Sequence, residues 1–99
     1  MMQSMPETEI SLSNTVSVPD GVMFRELDGE AVILNVNTEH YFGLDEVGTR
    51  IWMVLTTAES IQAGIETLLE EYDVERDRLE NDIRELLAQL IEHGLIALG

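Results

Sequence analysis

Val22-Met23-Phe24-Arg25-Glu26-Leu27-Asp28-Gly29-Glu30-Ala31-Val32-Ile33-Leu34-Asn35-Val36 is the stretch that decides the fold. Two β-prone runs flank Asp28-Gly29. A two-residue type I′ turn needs positive φ at both central positions, and Asp-Gly is among the pairs that tolerate it. The stretch reads as a hairpin in which Phe24 faces Ile33 and Arg25 faces Val32. Asn37-Thr38 supplies a second turn, and Glu39-His40-Tyr41-Phe42-Gly43-Leu44 returns as a third strand. The expected product is a three-stranded antiparallel meander. Upstream, Val16-Ser17-Val18 is a short extended piece before the Pro19-Asp20-Gly21 turn, and polar residues 1–14 are expected to form a disordered tail ahead of a domain spanning 15–99.

After Leu44 the apolar period changes from two to about 3.6. Asp45 is a good N-cap for a helix over Glu46 to about Leu55, with Val47, Ile51, Val54 and Leu55 on one face. Thr56-Thr57-Ala58-Glu59 has the spacing of a capping box for a second helix reaching about Tyr72, with Ile61, Ile65, Leu68, Leu69 and Tyr72 along its stripe. A third helix is expected from about Glu75 to His93, turning Leu79, Ile83, Leu86, Leu87 and Leu90 inward. Gly94 suits a left-handed C′ position, with Leu95 packing back onto the last turn. Glu80 and Arg84 stand four apart in the favourable order. Strands followed by helices, without βαβ alternation, make this an α+β fold and not a parallel-sheet one.

The 99 residues allow one core. With no cysteine, disulfides and thiolate chemistry are excluded together. No apolar run approaches the ~20 residues that span a bilayer, and the N-terminus lacks the basic and apolar regions of a secretory signal, so a soluble, cytoplasmic chain is expected. Twenty acids against five arginines leave a net charge of -15, which repels phosphate backbones and anionic membranes. A basic or neutral partner is favoured.

Catalysis is not expected. His40 and His93 lie far apart with no ligand-spaced neighbour, and His93 suits a helix C-terminus. There is no phosphate loop, nucleophile elbow or metal motif, so no catalytic residue, metal or cofactor is assigned. Trp52 and Tyr72 read as core or core-rim residues. The informative feature is the third strand, which is an edge of the meander. Edges are normally blunted by charge, proline or bulges, and Tyr41-Phe42-Gly43-Leu44 has none of these. Such an edge invites β-augmentation by another chain, with Gly43 letting a foreign backbone approach.

The run Gly29 to Asn35, then His40-Tyr41-Phe42-Gly43-Leu44-Asp45-Glu46-Val47-Gly48-Thr49-Arg50-Ile51-Trp52, resembles the PqqD-like family, also called RiPP recognition elements. The pattern Leu68-Leu69-Glu70-Glu71-Tyr72-Asp73-Val74, Leu86 to Leu90, and Gly94-Leu95-Ile96 resembles it too. The likeness covers roughly Val22 to Leu98 and is nearest to the stand-alone members of lasso-peptide pathways. It implies a winged-helix-like domain of three strands and three helices that binds a precursor's leader peptide and delivers it to a partner leader protease. The leader would add to the third strand at His40, Tyr41, Phe42 and Gly43. The opposite wall would come from Leu79, Asp82, Ile83 and Leu86 of the third helix. Arg76 and Arg78 would either steer acidic leader residues or pair with Glu80 and Asp82.

Two other readings stay open at this point: a winged-helix DNA-binding protein, which the acidic third helix opposes, and a subunit whose open edge pairs with its own copy.

Overall fold

The structure is a computed structural model, and it describes residues 10–99. The meander forms as its sequence dictates: β2 (Val22–Leu27), β3 (Glu30–Asn35) and β4 (His40–Leu44) lie in the order β2-β3-β4. Asp28 (φ 58°) and Gly29 (φ 85°) both occupy the left-handed region, as a type I′ turn demands. Phe24 pairs with Ile33 and Arg25 with Val32, the expected register. The β3–β4 turn runs over residues 36–39 and closes with Glu39 at φ 65°.

Three helices follow: α1 (Glu46–Leu55), α2 (Ile61–Glu71) and α3 (Arg76–Glu92). Asp45 caps α1 by accepting a hydrogen bond from the Gly48 N–H. Helix α3 ends in a Schellman motif: the Leu95 N–H donates to the Leu90 carbonyl and the Gly94 N–H to that of Ile91, with Gly94 at φ 72°. Leu95 is fully buried by that reversal. The inner face of the sheet and the three helices share one core, in which Ile33, Ile65, Leu68 and Leu95 are 0% exposed.

The structure departs from the sequence reading in five places. Val47 is 48% exposed; Ile51, Trp52, Val54 and Leu55 take the inward face of α1, because the sheet meets that helix one residue round from the expected stripe. Helix α2 is capped by Ser60, whose hydroxyl accepts from the Ala63 N–H; the Thr56 hydroxyl instead donates back to the Trp52 carbonyl of α1, so the capping box does not form. Arg84 donates to the Ile10 carbonyl at 2.6 Å, and not to Glu80. Val16–Ser17 forms β1, which pairs with Ala97–Leu98, a strand β5 that two residues alone do not announce. Residues 10–14 of the expected tail are laid on the body: the Gln62 and Ile61 N–H groups donate to the carbonyls of Leu12 and Asn14, and Ile10 and Leu12 pack on the core. Residues 1–9 of that expected tail lie outside the described residues.

Candidate peptide-binding site

β4 is an edge strand, flanked only by β3 among the described residues. Its alternation sends Phe42 and Leu44 toward the core, while Tyr41 (72% exposed) and Gly43 face outward. Asn35, the last residue of β3, is the one buried amide side chain among the described residues. Its oxygen accepts from the N–H groups of Asn37 (2.9 Å) and Thr38 (3.2 Å), fixing the β3–β4 turn, and its NH2 donates to the Gly94 carbonyl (2.9 Å). This single side chain therefore ties the start of β4 to the end of α3.

The tie brings two distant histidines together. The His93 ring lies 5.6 Å from Phe42 and 5.7 Å from His40, edge-on to both. Its Nδ1 sits 2.8 Å from the Gln89 carbonyl, a contact that holds the ring in place. Sequence reasoning assigned His93 only to helix capping. No local signal pairs positions 40 and 93; the link requires the buried Asn35 bridge.

The expected helix wall divides in two. Leu79 (6% exposed) and Ile83 (1% exposed) are core residues, inaccessible to a ligand in this structure. Asp82 is exposed and Leu86 half-buried. With Gln89 and His93 they continue one stripe of α3 at helical spacing. The plain core reading thus accounts for Leu79 and Ile83, and the accessible positions are Asp82 and Leu86. Arg76 pairs with Glu66 and Glu80, whereas Arg78 has no ion pair among the described residues.

Among the described residues the buried polar side chains are Asn35 and Thr49. No group of three His, Cys, Asp or Glu that would hold a metal ion occurs among them, and no helix is long and apolar enough to cross a membrane. On α2, hydrogen bonds from Arg50 hold the Glu71 carboxyl below the usual carboxylate range.

Comparison with known proteins bears on this edge. A search of curated proteins finds no match. A solved structure described as TbiB1 in complex with the TbiA(beta) leader peptide superposes with a TM-score of 0.75. The two chains are 35% identical over 81% of this chain and 93% of that one. The profile of the family described as coenzyme PQQ synthesis protein D (PqqD) matches residues 30–96, from the start of β3 to the residue before β5. The chain belongs to the PqqD family.

Proposed function

We propose that this chain is a non-catalytic recognition element for the leader peptide of a ribosomally made precursor, of the lasso-peptide class, which binds as a fourth strand on β4. The observation that carries the reading is the uncharged edge at Tyr41–Leu44, which no strand covers among the described residues. Backbone pairing there supplies affinity, and the half-buried Phe42 and Leu86 supply apolar contact. Burying such side chains contributes about 25 cal/mol per Å² of apolar area. The leader-bound relative, similar over most of both chains, supports the class of ligand. Delivery to a partner leader protease in the cytoplasm completes the reading. The net charge of -15 favours basic or neutral surfaces on that partner.

A DNA-binding role is disfavoured by α3 itself. Asp77, Glu80, Asp82, Glu85 and Glu92 face three arginines, of which Arg76 and Arg84 are already engaged.

The test is a fluorescence-polarisation titration of the fluorescein-labelled leader from the short precursor encoded beside this chain's gene. Saturable one-to-one binding is expected. N-methylating the leader amides one at a time should weaken binding at every second position, the period of a paired strand. No binding, or a self-dimer indifferent to the leader, overturns the proposal.

A further inference from the structure

Asn35 breaks the pattern of its strand. The inward positions of β3 are Ala31, Ile33 and Asn35, and the first two are core residues. The third is 8% exposed, and asparagine is a poor strand former, so an aliphatic residue would suit both the burial and the strand better. The two ends of its amide have separate partners. The oxygen accepts from the Asn37 and Thr38 N–H groups and shapes the turn into β4, which an aspartate carboxylate does as well. The NH2 donates to the Gly94 carbonyl at 2.9 Å, just past the end of α3. An ionised aspartate only accepts, so the donor is what sets asparagine apart at this position. The turn makes no use of that donor; the end of α3 does.

His93 is the residue before Gly94, and His40 pairs with Asn35 across the ladder. Asn35 thus has one histidine beside it on β4 and the other one residue from the carbonyl it holds. The His93 ring lies 5.7 Å from His40 and 5.6 Å from Phe42. Its contact with the Gln89 carbonyl fixes the ring relative to α3, and the Asn35–Gly94 bond fixes the end of α3 relative to β4. Resting on the strand-addition reading above, we infer that Asn35 is a positioning residue for leader binding: its donor half holds the end of α3 against β4 and keeps His93 on Phe42 as a spacer. Asn35 is buried, so it acts through His93 and not by touching the leader. Ordering the space between β4 and α3 in the free protein raises affinity, because that ordering is then no longer a cost of binding.

Asn35→Asp keeps the acceptor for the turn and deletes the donor. The labelled leader is expected to bind about tenfold weaker, with each variant measured well below its Tm so that folded protein alone is read. In the leader-free variant the nuclear Overhauser contact between His93 and Phe42 protons is expected to vanish, while the amides of Asn37 and Thr38 stay protected from exchange. A residue that merely stabilised the fold would lower the Tm and move neither the affinity nor the ring contact. His93→Ala loses a similar factor, and Asn35→Asp adds little to it, because both changes remove the same spacer. Affinity of Asn35→Asp within about twofold of wild type, a retained His93–Phe42 contact, or fully additive losses overturns the proposal while strand addition stands. Should Asn35→Asp fail to fold, Asn35→Ser, whose shorter hydroxyl side chain serves the turn but stops short of Gly94, takes its place. His93→Ala binding the leader within about twofold of wild type overturns the proposal whatever the Asn35 variants do. A wild-type protein that binds no leader overturns strand addition, and this role of Asn35 with it.

Discussion

Phe24 and Phe42 stand at opposite ends of one cross-strand row, with Ile33 between them, yet the two edges they mark are treated differently. At the β2 edge, Phe24 is stacked on Trp52 of α1, ring centroids 5.7 Å apart and planes within 5°, and Arg25 and Glu26 follow it along the strand. At the β4 edge, Phe42 is half-buried against the core and meets the edge of the His93 imidazole as its ring partner, and no charged residue lies between Tyr41 and Leu44. One edge is sealed by an indole and guarded by charge; the other is left apolar and unguarded. Charge on an edge is the ordinary defence against a foreign strand. Its absence on one edge of a sheet that carries it on the other is the asymmetry on which the strand-addition proposal rests.

The row itself is the first thing to break. Ile33 is fully buried and touches both ends of it. Ile33→Ala should cost about 2–5 kcal/mol of unfolding free energy, the range for emptying a core position. Urea denaturation measures it, and a loss well under about 1 kcal/mol would mean that the two edges are not joined through this residue.

Truncating the two phenylalanines separates the edges. Phe42→Ala should weaken leader binding by about 1–3 kcal/mol, as for an anchor at an interface centre. Phe24→Ala should instead lower the Tm by loosening α1 from the sheet, while the folded protein binds leader within about 0.5 kcal/mol of wild type. If Phe42→Ala binds normally and is merely less stable, Phe42 belongs to the core and the contrast between the edges is lost.

Removing the guard from β2 tests the other side. Arg25→Thr with Glu26→Thr should turn β2 into a second acceptor strand. The cross-strand pairs so allowed contribute only about 0.2–1 kcal/mol each, so the expected result is weak, concentration-dependent association in sedimentation velocity, relative to wild type. A variant as monodisperse as wild type would show that charge is not what protects that edge.

How far this contrast was legible in the sequence follows from the range of the forces involved. Local chemistry announced the Asp28-Gly29 turn, the Asp45 cap and the Gly94 reversal, and the turn then determined the Phe24–Ile33 register. The bare β4 edge was readable for the same reason: charge and glycine are visible residue by residue. The helix side of the groove was not. An apolar stripe says that Leu79 and Ile83 face something, but not whether it is the core or a ligand, and burial decided for the core. His93 was missed because its contact with Phe42 depends on Asn35 reaching Gly94 across 59 positions. The same holds for β5, and for Arg84, whose partner proved to be a backbone carbonyl 74 positions away.

The smallest expected effect lies far from either edge. Arg50 of α1 donates two hydrogen bonds to Glu71 of α2, at 2.8 and 2.5 Å, with side chains 43% and 33% exposed. The guanidinium holds the Glu71 carboxyl below its ordinary value, so the folded state favours the ionised form. A carboxylate depressed in this way stabilises the fold at pH values above its unfolded pKa of about 4.3, and the contribution fades as pH falls through the lower folded value. Glu71→Gln should therefore lower the Tm slightly at pH 7, and the gap to wild type should narrow below about pH 4. Added salt should narrow it too, because the pair is exposed to solvent. Leader affinity should not change, since the bond joins α1 to α2 and leaves β4 untouched. A loss of affinity in Glu71→Gln would mean that the packing of the first two helices is felt at the open edge, and that the two edges are less independent than their separate coverings imply.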